Sequence, residues 1–384
     1  MIRKFLYLII LICLTPLMMW LLWFLTPKTK LVAAIIDKTV LTKAGQEHSS
    51  LYWILNHERY SKTSKKSYTI DHDYFGFFPL DDEKFKLKGL ERFTEKQITQ
   101  LSMDADLVYF TDTYGIYNNE WFQKKNINER SGMLYGGLST NDVALARLMK
   151  VRKKLVIAEF NTIGDPTDSA SRAGFENEFA IKWTGWTARY FESLDTTVNM
   201  ELPRWLINNY KKEHQNLWPF KKAGIAFVSN NNRVAILEDG VHLSNPMPYI
   251  QTSQRSQNEF GLPSEIKYPF WFDIIEYDPK VNQSAANFKI STNDRGLAEL
   301  KKYGIPPVFP AITFHKADDY RFYYFSGDFC DNPVSINSSY FKGINYLKWM
   351  FYSDKDPMER HSFFWNYYRP LLTNILEEYS AKKE

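Results

Sequence analysis

Apolar residues in the first half of the chain form short continuous runs that alternate with helical patterns. Runs of strand length occupy residues 31–37, 105–110 and 155–159, and helix-like patterns occupy residues 48–59 and 139–150. Continuous apolar strands separated by helices are typical of a parallel sheet that is covered on both faces. The pattern therefore predicts an α/β fold, with a Rossmann-like domain of three layers.

The pattern changes after a helix-like segment at residues 169–194. Four short alternating or aromatic runs follow, at residues 224–229, 233–240, 268–277 and 287–291. Such runs indicate antiparallel strands, and the Asn-rich stretch between the first two is typical of a hairpin. We predict a first α/β part at residues 31–215, a β-rich insertion at 216–300 and a C-terminal α/β part at 301–384.

The first 30 residues are predicted to form a membrane anchor. Residues 5–26 carry no charge, and a helix of that length, at about 1.5 Å per residue, crosses a hydrocarbon layer of about 30 Å. Basic residues flank the run on both sides, and the amino terminus adds one charge to its own side. We expect a single-pass protein of the bacterial cell membrane, with the bulk of the chain extracytoplasmic.

Composition narrows the function classes. The net charge is only +4 and charged residues are 24% of the chain, so no basic surface indicates a nucleic-acid partner. Aromatic residues reach 16%, which suits either a thick aromatic core or a surface that stacks on flat ligands. Cys330 is the one thiol beyond the predicted anchor, so the sequence predicts no intrachain disulfide there.

Polar residues stand at the ends of the predicted strands, namely Asp37, Asp112, Glu159, Asn161 and Asp328. Ligands of open α/β sheets bind beyond the carboxyl ends of the strands, where these side chains would meet. Acids and amides at strand ends also start turns and cap helices, which is the alternative interpretation. Under the functional interpretation, Glu159, Asp112 and Asp328 are candidate catalytic acids or bases, and Asp37 and Asn161 are candidate ligand contacts. We assign no metal site and no cofactor.

A second candidate binding feature lies in residues 181–194. Trp183, Trp186 and Arg189 recur at three-residue spacing, so a helix would carry them on one face. Two indoles and a guanidinium on one face suit a groove for a glycan. The alternative is that they pack between the sheet and the β-rich part.

The order of elements resembles class I glutamine-amidotransferase-like domains, including the ThuA-like branch. The resemblance rests on two strands that flank a helix, ADLVYFTD and LVIAEF, and on a late strand that ends in a glycine-containing loop, RFYYFSGDF. It covers residues 31–200 and 305–384 and implies the fold of that family. The family's Cys-His-Glu chemistry needs a G-x-C-x-G turn, whereas Cys330 follows FSGDF. We therefore expect no amidotransferase activity.

Two functions remain open at this stage. The first is an envelope protein that binds a component such as a polysaccharide, or that acts with an envelope protein partner in an assembly. The second is a carboxylate- or metal-dependent hydrolase of a glycan. Carboxyl groups about 5–10 Å apart with raised pKa values would favour the hydrolase. Carboxylates bound to backbone N–H groups would favour the binding protein.

Overall fold

The computed structural model of the chain describes residues 2–122, 131–353 and 355–382, with side chains from residue 13 onward. The strands are β1 (Thr29–Lys30), β2 (Ala33–Asp37), β3 (Tyr60–Ser61), β4 (Phe75–Pro79), β5 (Phe85–Leu87), β6 (Leu107–Asp112), β7 (Ile116–Tyr117), β8 (Met133–Tyr135), β9 (Leu155–Glu159), β10 (Ile181–Phe191), β11 (Gly224–Ser229), β12 (Val234–Glu238), β13 (Tyr249–Thr252), β14 (Glu265–Lys267), β15 (Phe272–Tyr277), β16 (Gln283–Lys289), β17 (Val308–Lys316) and β18 (Arg321–Phe325).

The α-helices are α1 (Ile2–Leu25), α2 (Gln46–His57), α3 (Glu95–Asp104), α4 (Asn118–Trp121), α5 (Thr140–Val151), α6 (Ser169–Phe179), α7 (Arg204–Glu213), α8 (Gln254–Phe260), α9 (Asp294–Tyr303), α10 (His361–Phe363) and α11 (Arg369–Ala381). A π-helical turn, Phe364–Tyr368, joins α10 to α11. Short 3-10 helices cover Leu90–Arg92, Ile336–Tyr340 and Ile344–Met350.

The main sheet has ten strands in the order β14-β13-β16-β17-β18-β9-β6-β2-β4-β5. Its centre, from β18 to β4, is parallel, and the strands outside this centre pair antiparallel. Numbered along the chain, the five parallel strands have the order 2-1-3-4-5, which is the doubly wound order found in flavodoxin-like folds. The prediction of an α/β fold with a parallel sheet is therefore confirmed for the centre of the main sheet.

Alternating side chains of the central strands face two different layers of helices. Ile35, Tyr109 and Ile157 belong to the cluster of buried residues that includes α2 and α11. Their neighbours Ile36 and Val108 belong to the cluster that includes α3, α5 and α6. This alternation follows from the two-residue period of a strand. The centre of the molecule is thus a sheet between two helical layers.

A second sheet of four antiparallel strands, β12-β11-β10-β15, packs beside the antiparallel part of the main sheet. Phe272 of β15 stacks on Phe288 of β16 with ring centroids 4.6 Å apart, and Trp186 of β10 meets Tyr303 edge to face. The other face of the second sheet packs on α7. The strands of the predicted insertion at 216–300 are therefore divided between the two sheets.

The predicted helix at residues 169–194 is wrong in its second half. Helix α6 ends at Phe179, and residues 181–191 form β10. The pairing of β10 with β15 shifts by a bulge between Trp183 and Trp186, where Gly185 has a φ of 86°. Trp183 and Trp186 belong to two different buried clusters, one on each face of β10, so both are buried although they lie three residues apart. A strand that is buried on both faces can therefore show an apolar spacing that is also typical of a helix.

Helix α1, Ile2–Leu25, covers all but the last residue of the predicted span at residues 5–26. In the part of the chain whose side chains are described, no helix offers a stretch long and apolar enough to cross a membrane. The predicted span at residues 5–26 lies partly outside that part, since the side chains of 2–12 are not described.

Candidate functional site

Asp37 and Asp112 end the two strands at the point where the strand order of the parallel sheet reverses. The two residues are direct partners in the register of β2 and β6, and both side chains are buried. One oxygen of Asp37 accepts a hydrogen bond from the backbone N–H of Thr39 at 3.0 Å, and one of Asp112 accepts from that of Tyr114 at 2.6 Å. Doubly wound sheets bind their ligands beyond this switch point. We therefore place the candidate site here.

His48 connects Asp37 to the first helix of the α/β domain. Its Nδ1 lies 2.5 Å from Asp37 Oδ2, and its Nε2 lies 3.0 Å from the carbonyl oxygen of Ile70. The imidazole is fully buried and tilts against the rings of Tyr52 and Tyr74. The contact fixes the start of α2 against the end of β2.

Asp328 and Asp331 reach the same edge from the loop after β18. Arg360, which precedes α10, bridges them with 3.3 Å to Asp328 Oδ2 and 2.6 Å to Asp331 Oδ2. The other oxygen of Asp331 accepts from the amide of Gln46 at 2.7 Å. Gln46 is the first residue of α2, so the loop carboxylates are tied to the same helix that holds His48.

The electrostatics of this edge favour protonated carboxyl groups. Burial raises the pKa of Glu47 well above its ordinary value, and the charge of Asp37 raises it further. Burial likewise raises the pKa of Asp112, with added contributions from the charges of Asp37 and Asp331. The pKa of Asp328 is raised by burial and by the charge of Asp331, and the Arg360 guanidinium opposes the shift. Each of these groups is stabilised in its neutral form, in which it can donate a hydrogen bond or a proton.

Glu159 lies deeper than the other acids and is fully buried. It accepts hydrogen bonds from the backbone N–H groups of Phe329 and Cys330, each at 2.8 Å, and from the hydroxyl of Tyr109. The Tyr109 hydroxyl is in turn 2.9 Å from that of Tyr368. Through these contacts Glu159 holds the loop after β18 in place. Its assignment as a catalytic acid stays a prediction.

Asn161 follows β9 in a left-handed turn with a φ of 62°. Its backbone N–H donates to Asp273 Oδ2 at 3.1 Å, and Asp273 also accepts from the hydroxyls of Thr187 and Tyr324, each at 3.0 Å. Burial raises the pKa of Asp273 to about 7. This buried acid of β15 joins the second sheet to the carboxyl ends of β9 and β18, so Asn161 lies at the junction of the sheets.

The structure does not support the predicted aromatic face. Trp183 and Trp186 are both buried, and the indole N–H of Trp183 donates to the backbone oxygen of Trp186 at 2.9 Å. Arg189 pairs with Glu201 at 2.7 Å. The two indoles are part of the core and have no free face for a sugar ring, so the alternative interpretation of packing is correct for them.

Two further sequence features have structural roles. Ser139 caps α5, since its hydroxyl accepts from the backbone N–H of Asp142. Cys330 is completely buried, and burial together with the charge of Glu159 raises the pKa of its thiol well above the usual value. A thiol that stays protonated is a poor nucleophile.

Metal binding finds no support among the residues that the structure describes. No three His, Cys, Asp or Glu side chains in these ranges stand close enough together to hold an ion. The arrangement at the sheet edge is therefore one of carboxyl groups, an imidazole and a guanidinium that are held by hydrogen bonds. Such a set can bind hydroxyl or amino groups and can transfer protons.

Three residues of this region were not found from the sequence. His48 lies within a predicted helix, and Arg360 is separated from its partners by about 30 residues, so neither position carries a local signal. Lys38 directly follows β2 and is buried with its Nζ 2.7 Å from Asp142 Oδ2 and 2.9 Å from the carbonyl oxygen of Gly137. Of these three residues, only Lys38 had a signal in the sequence, because a lysine directly after a buried apolar strand is unusual.

No family model and no curated protein matches this sequence. The similar solved structures include two proteins named as ThuA-like. One, from Parabacteroides merdae ATCC 43184, has 11% identity and a TM-score of 0.35 over 78% of this chain and 79% of its own. The other, from Bacteroides uniformis ATCC 8492, has 10% identity and a TM-score of 0.34 over 87% of this chain and 96% of its own.

A β-galactosidase from Rahnella sp. R3 is similar over 72% of this chain, with 8% identity and a TM-score of 0.29. This chain spans 23% of that enzyme's length. The loose resemblance to ThuA-like proteins that the sequence indicated is thus found again among solved structures.

Proposed function

We propose that this chain is a membrane-anchored protein of the bacterial cell envelope that binds a polar envelope component, such as a polysaccharide, without amidotransferase activity. The apolar run at residues 5–26 is the proposed anchor, with the α/β domain on the extracytoplasmic side. The ligand occupies the carboxyl edge of the parallel sheet. The alternative ligand of this edge is an envelope protein that presents hydroxyl or amino groups to the carboxyl groups.

The observation that carries the proposal is the meeting of acids from separate parts of the chain. Asp37, Asp112 and Asp331 come from two strand ends and a loop, and the charges of Asp37 and Asp331 both act on Asp112. Bringing like charges together costs free energy, so the fold holds a cluster that a ligand with donor groups would stabilise. The burial of Cys330 supports the absence of thiol chemistry.

To test the proposal, the affinity of the full chain, held in detergent or nanodiscs, is measured for a panel of neutral, acidic and amino-containing envelope polysaccharides. We expect Asp112→Asn and Asp331→Asn each to weaken binding of the preferred glycan by about tenfold or more. Asp318→Asn is the matched control, because Asp318 is exposed and lies before β18, at the opposite end of that strand. Equal affinity of all three variants would sink the proposal.

One observation favours a second function, that of a carboxylate-dependent glycan hydrolase. Asp112 and Asp328 both have raised pKa values, and such a shift prepares a carboxyl group to act as a general acid. The same panel separates the two functions, since a hydrolase releases product. Turnover by the wild type that Asp112→Asn abolishes, with glycan binding retained, would establish the enzyme.

A further inference from the structure

The end of helix α1 is joined firmly to the α/β domain. Trp23 is buried, and its indole N–H donates to the backbone oxygen of Asn56 at 3.0 Å. The Arg59 guanidinium lies 4.2 Å from the centre of the Trp23 ring, and Tyr340 meets that ring edge to face at 4.8 Å. The orientation of the domain relative to the helix is therefore fixed by packing.

A segment from the C-terminal part of the chain runs beside this helix. The backbone N–H of Lys342 donates to the backbone oxygen of Met19 at 3.1 Å. Met19 precedes the last helical residue, Leu25, by six positions, which corresponds to about 9 Å along the helix axis. The segment after Lys342 thus begins beside the helix, about 9 Å along the axis from its last residue.

This segment, Ile344–Met350 with the following Phe351, carries large apolar side chains in solvent. Tyr346 is 82% exposed, Trp349 68% and Met350 61%. Phe351 stacks on Trp365 at 5.4 Å, and Ile344 is buried. The segment is fixed to the domain at both ends and presents its aromatic side chains outward. We call it the aromatic ridge.

Positive charge lies at the level where the helix joins the domain. The Lys28 ammonium group donates to the backbone oxygen of Lys65 at 2.7 Å, which brings the loop at residues 62–66 to the foot of the helix. Lys65 and Lys66 are exposed. Acidic phospholipid headgroups attract such basic segments electrostatically.

We infer that the aromatic ridge and the basic loop at residues 62–66 form a face that lies in the headgroup layer of an acidic phospholipid bilayer. This inference rests on the proposed membrane anchoring. The ridge begins beside Met19 and the basic loop lies at the foot of the helix, so both are on the side of the domain from which the proposed anchor extends. Tyr and Trp are the side chains that favour this layer, since their rings are apolar and their polar groups remain hydrated. The domain then stands on the membrane in one orientation.

The test uses the full chain with Cys13→Ala, reconstituted in vesicles of mixed zwitterionic and acidic phospholipids. Tyr346→Cys carries an environment-sensitive fluorophore, and Val198→Cys is the matched control, because Val198 is 71% exposed and follows β10 in the second sheet. Cys330 is fully buried and stays unlabelled. Vesicles with lipids brominated near the headgroup report contact with the bilayer.

We expect the label at residue 346 to emit at shorter wavelength and to be quenched at least twofold more strongly than the label at residue 198. Lys65→Glu with Lys66→Glu reduces this quenching in acidic vesicles and leaves it unchanged in zwitterionic ones. Equal quenching at residues 346 and 198 overturns the inference. A wavelength shift that depends on protein concentration and lacks quenching also overturns it and assigns the ridge to a second copy of the chain.

An alkaline carbonate wash of the vesicles separates this inference from the anchoring itself. Chains that stay with the vesicles after the wash are anchored, so equal quenching in them removes only the interfacial face. Chains that the wash releases contradict the proposed anchor, and the inference fails with it.

Discussion

Asp37 and His48 form a buried contact in which both ring nitrogens of the imidazole face oxygen acceptors. Nε2 carries a hydrogen, because the carbonyl oxygen of Ile70, 3.0 Å away, can only accept. Nδ1 and Asp37 Oδ2 are 2.5 Å apart and form the second hydrogen bond of the ring. The pair is thus a single hydrogen-bonded unit that joins β2, α2 and the segment before β4.

Removal of the imidazole should destabilise the protein strongly. His48→Ala leaves the Asp37 carboxylate buried without this partner, and breaking a buried pair costs about 3–5 kcal/mol. Denaturant unfolding of the full chain in detergent measures the loss. His72→Ala is the control, since the side chain of His72 is 71% exposed, and it should change the free energy of unfolding by less than about 0.5 kcal/mol. Similar losses in both variants would contradict the structural role of His48.

Glu159 should act through the loop that it binds. Glu159→Gln replaces one acceptor oxygen with an amide group, which then faces donors, and we expect a loss of about 1–3 kcal/mol in the free energy of unfolding. Faster hydrogen exchange at the amides of Phe329 and Cys330 would locate the effect. Glu201→Gln, which alters an exposed ion pair with Arg189, should leave those amides unchanged. Unaltered exchange in Glu159→Gln would rule out the anchoring role.

Asp273 should make the stability of the protein depend on pH. Its pKa is about 7 in the folded state and about 3.9 in an unfolded chain, so the folded state holds its proton longer as the pH rises. The contribution is fully present below about pH 4, decreases between about pH 4 and 7 and is lost above that window. Three units correspond to a change on the order of 4 kcal/mol.

The variant Asp273→Asn tests this dependence. The amide oxygen can accept from the Asn161 N–H and the Tyr324 hydroxyl, as Asp273 Oδ2 does, and the amide nitrogen can donate to the hydroxyl oxygen of Thr187. We expect Asp273→Asn to make the decrease in unfolding free energy between pH 5 and pH 8 smaller, measured by urea titration, while the other buried acids with raised pKa values keep their contributions. Glu276→Gln, an exposed position on the same strand, should retain it. A wild type with equal stability at both pH values would refute the prediction.

Gly76 allows β4 to approach the end of β2. Its φ is +152°, and a Cβ atom there would lie 1.6 Å from the backbone oxygen of Asp37. Gly76→Ala should therefore move β4 away from Asp37 and destabilise the protein by more than about 3 kcal/mol. Gly304→Ala is the control, because Gly304 is also left-handed but has open space around it, and it should cost about 1 kcal/mol. Thermal unfolding compares the two.

The sequence predicted the central strands well because their burial on both faces leaves a direct trace. Residues 33–37, 107–112 and 155–159 are continuous apolar runs that end in acids, and no other element produces that pattern so compactly. Asp37, Asp112, Glu159 and Asp328 were predicted to share one edge; Asp37 and Asp112 are partners there, Asp328 lies in the loop after β18, and Glu159 is buried beneath that loop. The roles of these acids depend on the residues that bind them, and those residues lie outside the apolar runs.

The parts that the sequence did not predict depend on distant residues. Arg360 meets Asp328 and Asp331 only because the C-terminal helices fold back on the sheet, and no local pattern encodes that contact. The indoles of Trp183 and Trp186 were placed on a helix because of their three-residue spacing, whereas they lie on opposite, buried faces of the strand β10. Burial on both faces depends on the layers that pack against the strand, so one segment read alone cannot reveal it.

The bond between Glu159 and the amides of Phe329 and Cys330 has a consequence for the order of folding. The partners are 170 and 171 residues apart, and the whole second sheet lies in the chain between them. Contacts of such high sequence separation form late, because a long loop must first be closed. A nascent chain that has emerged only as far as β17 has no β18 to hold Asp328 and Asp331 in place. The carboxylate edge is therefore completed late, after synthesis has passed Arg360, which bridges Asp328 and Asp331.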